Sequence, residues 1–298
     1  MTIVSIGEIL WDLIGGEEFL GGAPFNLCAH LAKLGHDPYF VSAVGRDERG
    51  RRATEQATSL GVNTRFLTET DRAPTGISAV TLDNGGHATH NLPRPAAYDF
   101  VTLDDGQRSA IQNARPQWIC FGTLAQMEEG PRSLIDNILR DNPDAGRFYD
   151  MNLRPKCWTP ELVSELMHQA NVVKLNLDEA KIIAGLFKWP IDSLAHFSDQ
   201  AAKRFALDVV CVTCAEDGCS LWRKDDYVQK PGLDVDVADT VGAGDAFSAA
   251  LLHGLNQGWP LPEIATFANG VGAVVASRPG ATPEWSEGEV RARCKARR

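Results

Sequence analysis

The chain has 298 residues, 44% of them hydrophobic, enough apolar material to bury a large core without disulfides or metals. A formal net charge of −10 excludes non-specific binding to nucleic acid or to an anionic membrane, both of which want a basic face. No apolar run approaches the roughly 20 residues that cross a bilayer, the opening MTIVSIGEIL lacks the basic region of a signal peptide, and seven scattered cysteines fit a reducing compartment, so the expected location is the cytoplasm.

Short β-rich runs alternate with helical patterns along the chain. Ile3–Ile6 reads as a strand, and Ala23–Leu34 as a helix with Leu27, Leu31 and Leu34 on one face. Tyr39–Val44 is a second strand. Residues 75–92 break the rhythm: they alternate with period two around Asn84-Gly85-Gly86, the pattern of a β-hairpin, which inserted in an α/β core is a candidate lid over a site. Trp118–Phe121, Arg147–Met151, Val172–Leu175 and Val209–Thr213 are further strands. Most of these runs are nearly continuously apolar, as in parallel strands buried on both faces. Between them, Pro131–Arg140 is expected to be a helix with Pro131 at its first position and Leu134, Ile135, Ile138 and Leu139 on one side; Ser193–Ala206 is another. The alternation predicts βαβ units, a mostly parallel sheet and helices on both sides. There is no linker, repeat or low-complexity segment, and the terminal ARCKARR reads as a frayed helix end.

The strongest chemical signal is Asp239-Thr240-Val241-Gly242-Ala243-Gly244-Asp245-Ala246-Phe247. The helix former that follows, Ala246–Leu255, carries Leu251, Leu252 and Leu255 on one side, so the glycines stand where a loop enters a helix. Backbone N–H groups at such an entrance are unpaired, and the helix dipole favours an anion such as a phosphate. Asp245, in the first turn, stays ionised there and can accept a proton from an attacking hydroxyl. For a lone Gly-Ala-Gly, a tight turn with a capping aspartate would be the simpler reading.

The whole nonapeptide resembles the C-terminal signature of the ribokinase-like (PfkB) carbohydrate kinases, D-T-x-G-A-G-D-x-F, at every fixed position. The resemblance extends over nearly the whole chain. Gly21-Gly22-Ala23-Pro24-Phe25-Asn26 is similar to the fructokinase form of the family's N-terminal motif, and Gly7–Asp12 to an opening strand that ends in a sugar-binding aspartate. Asp150-Met151-Asn152-Leu153-Arg154-Pro155 resembles the D-x-N-L-R-P segment of fructokinases, and Lys174-Leu175-Asn176-Leu177-Asp178-Glu179 the N-x-x-E element.

The resemblance implies a three-layer α/β/α core over residues 1–298 as a single kinase domain, with a small β lid from about residues 10–20 and 73–98. It implies phosphorylation of a sugar's terminal hydroxyl by ATP, D-fructose being the preferred acceptor, with Asp245 as base and Gly242, Ala243 and Gly244 holding the transferring charge. Asp12, Gly21, Gly22, Asn26, Arg94 and Arg154 are the expected sugar contacts. Asn176, Thr213, Gly218, Gly242, Gly244 and Asn269 are expected around the nucleotide. Glu179 would hold Mg²⁺ through water, and Asp239 would belong to a K⁺ loop. Relatives often pair, so a homodimer through the lid is expected. The family shows V-T-x-G-x-x-G where this chain has Val212-Thr213-Cys214-Ala215-Glu216-Asp217-Gly218; if the position of Ala215 needs positive φ, its methyl group is a handicap.

Two other readings stay open: a 2-keto-3-deoxygluconate kinase, for which Arg94 and Arg154 supply charge although no tyrosine precedes Arg94, and an inactive sugar- or nucleotide-binding regulator. Ribokinase itself carries a lysine where Ala23 stands. Cys211 and Cys214, three apart in a strand, point to opposite faces and read as core rather than as a metal pair; His87 and His90 fail for the same reason. No GxxxxGK[ST] loop occurs, and no GxGxxG follows a strand, which leaves P-loop and nicotinamide chemistry without support.

Overall fold

The computed structural model describes residues 1–82, 88–224 and 226–296. The expected Asn84-Gly85-Gly86 turn, His87 and the last two residues of ARCKARR lie outside them. In chain order the elements are β1 (Thr2–Ile6), β2 (Leu10–Ile14), β3 (Glu17–Gly21), α1 (Ala23–Lys33), β4 (Asp37–Gly45), α2 (Glu48–Ser59), β5 (Asn63–Thr70), β6 (Gly76–Leu82), β7 (Ala88–Asn91), α3 (Asp105–Ala114), β8 (Trp118–Phe121) and α4 (Glu129–Asp141). They continue with β9 (Gly146–Asp150), α5 (Pro160–Gln169), β10 (Val172–Asn176), α6 (Leu177–Phe187), α7 (Leu194–Phe205), β11 (Val209–Thr213), β12 (Cys219–Arg223), β13 (Asp226–Lys230), α8 (Ala243–Asn256), α9 (Leu261–Ala276) and α10 (Glu287–Ala296).

Nine strands form one sheet, in the order β13-β12-β11-β10-β9-β8-β1-β4-β5, and four form a second, β3-β2-β6-β7. The pairs β1–β4, β4–β5, β9–β10 and β10–β11 are parallel, while β12 and β13 add an antiparallel edge. This is the mostly parallel α/β sheet that the alternating pattern predicts. The expected hairpin is present too, with β6 and β7 antiparallel from Ala79↔Asn91 to Leu82↔Ala88. No helix among the described residues is long and apolar enough to cross a membrane.

Contacts divide the chain into two compact units, Met1–Ile119 with Leu124–Ala145, and Cys120–Thr123 with Gly146–Arg298. In the first unit, Phe25, Cys28 and Ala29 of α1 pack with Trp11, Leu20, Phe40 and Val44, and with Ala53 and Ala57 of α2. Helix α1 starts at Gly22, whose φ of +112° suits glycine, and a Cβ there would stand 2.5 Å from the Glu8 carbonyl oxygen. Asp47 caps α2 by accepting the Gly50 N–H at 2.8 Å. Its carboxylate also takes the Thr75 N–H at 2.8 Å and hydroxyl at 2.7 Å, tying the start of β6 to that helix.

Two local expectations are corrected here. Asp12 does not end the first strand: β1 stops at Ile6, the chain turns where Gly7 passes against Pro24, and Asp12 lies in the middle of β2 in the small sheet. Pro131 is the third residue of α4 rather than the first. Both positions lie in the first helical turn, where proline's missing N–H has no partner to lose.

In the second unit, Phe148, Tyr149, Val173, Leu175, Val210 and Val212 are buried in β9, β10 and β11. Phe187, Trp189, Phe197 and Phe205 form an aromatic cluster by α6 and α7. The carboxyl ends of these three parallel strands carry Asp150, Asn176 and Thr213, the end at which open α/β sheets bind ligands.

Candidate active site

The loop-to-helix entrance at α8 is built from backbone. Gly242 caps the helix with φ +76°, in the left-handed region, and a Cβ on it would come within 2.6 Å of Ala281 Cα. The Ala243 N–H bends back to the Thr240 carbonyl at 3.3 Å, so it is not a free member of the expected amide cradle; the Gly244 N–H has no acceptor among the described residues. Asp245 is the third residue of α8, in its first turn, and 8% exposed. Asp239 spends both carboxylate oxygens on backbone, accepting Val241 N–H at 2.9 Å and Gly280 N–H at 3.1 Å.

Beside this entrance lies a buried polar network that the sequence reading did not single out. Lys174, 4% exposed, is the register partner of Asp150 on the neighbouring parallel strand, and its Nζ donates to Asp150 Oδ1 at 3.1 Å. The Ser248 hydroxyl, one turn into α8, stands 2.6 Å from Asp150 Oδ2. Burial alone would lower the Lys174 pKa, but the negative charges of Asp150, Glu179 and Asp245 outweigh it and hold the ammonium above its ordinary value. Nearby, Thr123 donates to the Met151 carbonyl at 2.5 Å and lies 2.7 Å from the Tyr149 hydroxyl. Asn152 has φ +44° and an Nδ2 that is enclosed without a hydrogen-bond partner, the kind of strained, unsatisfied residue that gathers at functional sites.

Asn176 and Glu179 form a capping box at the start of α6: Asn176 Oδ1 accepts the Glu179 N–H at 2.9 Å, and Glu179 Oε2 accepts the Asn176 N–H at 2.8 Å. Glu179 Oε1 also accepts the Leu153 N–H at 2.7 Å. Burial raises the Glu179 pKa above the ordinary value, against the pull of Lys174 and of these amides. Thr213 stands beside Asn176 in register on β11, and the Gly218 N–H closes a turn onto the Ala215 carbonyl at 3.0 Å. Ala215 has φ +49°, so the methyl group does sit where glycine is favoured. Asn269 gives its Nδ2 to the carbonyls of Lys230 at 3.2 Å and Pro231 at 3.0 Å, which leaves it shaping that loop. Arg154 has no ion-pair partner among the described residues.

The other expected contacts belong to the first unit. A Cβ on Gly21 would stand 2.5 Å from Asp12 Oδ2, so a side chain there would displace the carboxylate. The Asn26 N–H donates to the Gly22 carbonyl at 2.8 Å, and both Asp12 and Asn26 are buried. Arg94 is placed differently from a free ligand cation. Its guanidinium pairs with the buried Asp99 through two nitrogens, one of them at 3.2 Å, and donates to the Leu124 carbonyl at 3.0 Å.

The sequence pattern of the pfkB family carbohydrate kinases matches residues 3–287. The chain belongs to that family. It is similar to the fructokinase of Salmonella typhimurium, with 30% identity over 93% of this chain and 93% of that one. A crystal structure of fructokinase from Xylella fastidiosa with bound ATP superposes with a TM-score of 0.88 at 23% identity, covering 99% of this chain and 98% of that one. The 2-dehydro-3-deoxygluconokinase of Thermotoga maritima gives 0.85 at 19%, covering 99% of each. These two likenesses speak for the fold, the ribokinase-like α/β/α arrangement with a small extra sheet. As a pfkB kinase, the protein is an ATP-dependent sugar kinase.

Cys211 and Cys219 are buried and free, and Cys214 lies past the end of β11. Lys174 was hard to see in sequence because it interrupts an otherwise apolar run; the one signal was a lone charge in a strand buried on both faces.

Proposed function

We propose that this kinase transfers the γ-phosphoryl group of ATP to the terminal hydroxyl of a neutral sugar, with D-fructose the first candidate. The observation that carries the reading is the α8 entrance, where an acceptor-free Gly244 amide and the Asp245 carboxylate occupy the same helical turn. Asp245 takes the proton of the attacking hydroxyl, while the Gly242 and Gly244 amides and the helix dipole offset charge on the phosphoryl oxygens. Asn176, Thr213 and Gly218 line the nucleotide, and Arg154, without an ion-pair partner among the described residues, is a donor available to oxygens of the phosphate or sugar. We assign the sugar to Asp12, Gly21, Gly22 and Asn26: a carboxylate can accept two hydroxyl hydrogen bonds, which suits a polyol, and the glycines let backbone approach it closely.

Among the described residues no group of three or more His, Cys, Asp or Glu could hold a metal directly. Mg²⁺ keeps several waters and binds through substrate phosphates and one or two carboxylates; Glu179 is the residue that would hold it through water. When bound, it supplies charge neutralisation to the phosphates. We assign Asp239 to a K⁺ loop. The sheet β3-β2-β6-β7 is our lid, excluding water that would compete for the phosphoryl group, and the exposed Phe19 on it suits a homodimer contact. Seven free cysteines suit the cytoplasm.

A neutral sugar is our first candidate because Arg94, one of the two arginines a sugar acid would use, already spends its charge on Asp99; an acid would rely on Arg154 alone. Measuring ADP release with Mg-ATP across a panel including D-fructose and 2-keto-3-deoxygluconate tests this. D-fructose should give the highest kcat/KM, and Asp245→Asn should lower kcat about 10²–10⁴-fold. Preference for the acid would overturn the substrate assignment. Undiminished turnover in Asp245→Asn would overturn the base, and silence toward every sugar would favour a binding protein.

A further inference from the structure

Lys174 and Asp150 stand opposite one another on adjacent parallel strands, at positions where a sheet buried on both faces carries apolar side chains. A buried ion pair is weak evidence for stability, since well-packed apolar residues in its place are often no worse. The pair is also joined to something. Asp150 Oδ1 accepts from Lys174 at 3.1 Å, and Asp150 Oδ2 faces the Ser248 hydroxyl at 2.6 Å. That hydroxyl lies 3.0 Å from the Gly244 carbonyl, one turn back along α8. Its single proton serves one acceptor at a time, and the carboxylate is both nearer and charged. On the other side, a Cβ on Gly244 would stand 3.3 Å from Lys174 Nζ, so the ammonium lies directly against the turn that holds the acceptor-free amide.

We propose that Lys174, Asp150 and Ser248 form a positioning unit that fixes the first turn of α8, and through it the Gly244 amide and Asp245 carboxylate, against the terminal phosphoryl group of ATP. The inference rests on the nucleotide half of the function proposed above. Ser248 locks the rotation of the helix about its axis, Asp150 transmits that restraint to the sheet, and Lys174 anchors Asp150. None of the three needs to touch substrate. The phosphoryl group that distinguishes ATP from ADP is the one that reads the position of this turn.

The test is Ser248→Ala, which keeps the Lys174–Asp150 pair and with it the fold; Lys174→Met strands buried carboxylates and is the harsher second variant. Calorimetric titration with Mg-ATP and Mg-ADP separates positioning from general damage. Ser248→Ala should weaken Mg-ATP about tenfold, the scale of a hydrogen bond to a charged group, and leave Mg-ADP within about twofold. Ser248→Thr, which retains the hydroxyl, should restore Mg-ATP binding. With the best sugar, kcat should fall in Ser248→Ala while the sugar KM holds. An unchanged ATP-to-ADP affinity ratio, or loss of both nucleotides alike, or failure of threonine to rescue, overturns the inference. A wild-type protein that phosphorylates no sugar yet shows the shifted ratio in Ser248→Ala sinks the sugar-kinase assignment alone; one that binds neither nucleotide overturns both.

Discussion

Replacing Ala215 with glycine should stabilise the protein. Ala215 has φ +49°, and an L-residue in the left-handed region costs roughly 1–2 kcal/mol that glycine escapes. Against this, glycine gives the unfolded chain more freedom, worth about 0.4–1 kcal/mol in the opposite direction. The methyl group adds little to the balance because Ala215 is exposed. The turn itself is held by backbone, with Cys214 N–H to Gly218 O at 2.7 Å, Asp217 N–H to Cys214 O at 3.0 Å and Gly218 N–H to Ala215 O at 3.0 Å. The net gain is therefore about 0.5–1 kcal/mol, or a Tm rise of roughly 1–3 °C for a chain of this size. Differential scanning calorimetry without nucleotide measures it, and a calorimetric Kd for ATP shows whether the methyl group also crowds the ligand, as removal would then tighten binding. A lower Tm for Ala215→Gly would refute the strain argument, since the unfolded-state freedom of glycine would then outweigh whatever the left-handed backbone costs the alanine.

Two further outcomes follow from charges. Burial holds the Glu179 carboxyl above its ordinary value, so it takes up a proton at a pH where surface glutamates stay ionised; the apparent Mg²⁺ affinity should fall as pH is lowered through that raised pKa, and Glu179→Gln should bind Mg²⁺ weakly at every pH. The sign for folding is opposite: a raised carboxyl pKa means the native state holds the extra proton, so this contribution to stability is lost as pH rises through it. Flat Mg²⁺ dependence down to the ordinary carboxylate range would count against the assignment. Arg94→Met should cost on the order of 3 kcal/mol in urea unfolding by leaving Asp99 buried and unpaired, whereas a free ligand cation would lower activity and spare stability.

The strands were legible because buried parallel strands write themselves as apolar runs, and Val209–Thr213 is found with those very bounds. The glycine-rich entrance was legible because glycines before a helix former have few other uses. Asp12 was misplaced because Gly7–Asp12 has no turn signal beyond one glycine, and the break depends on Gly7 meeting Pro24, a contact 17 residues away in sequence. The partner of Arg94 was invisible for a related reason: Arg94 and Asp99 face each other only because the intervening backbone turns. Lys174 shows the deeper limit. A lone lysine in a strand announces that something must neutralise it, but which carboxylate does so is decided by the register between β9 and β10, and that register is a property of the sheet.

Arg94 and Lys174 differ in what surrounds them. Arg94, half-buried, meets the buried Asp99 carboxylate, the more exposed Glu128 at 3.6 Å and a backbone carbonyl, so its charge is consumed where it stands. Lys174 feels the negative charges of Asp150, Glu179 and Asp245 together, which hold its ammonium above its ordinary value despite burial. An anion entering such a field alone would be repelled, yet the adjoining helix entrance offers an acceptor-free amide and the positive end of a dipole. Under the proposed function, a metal-chelated nucleotide would meet both: its divalent cation would face the carboxylates, and its phosphate the amide.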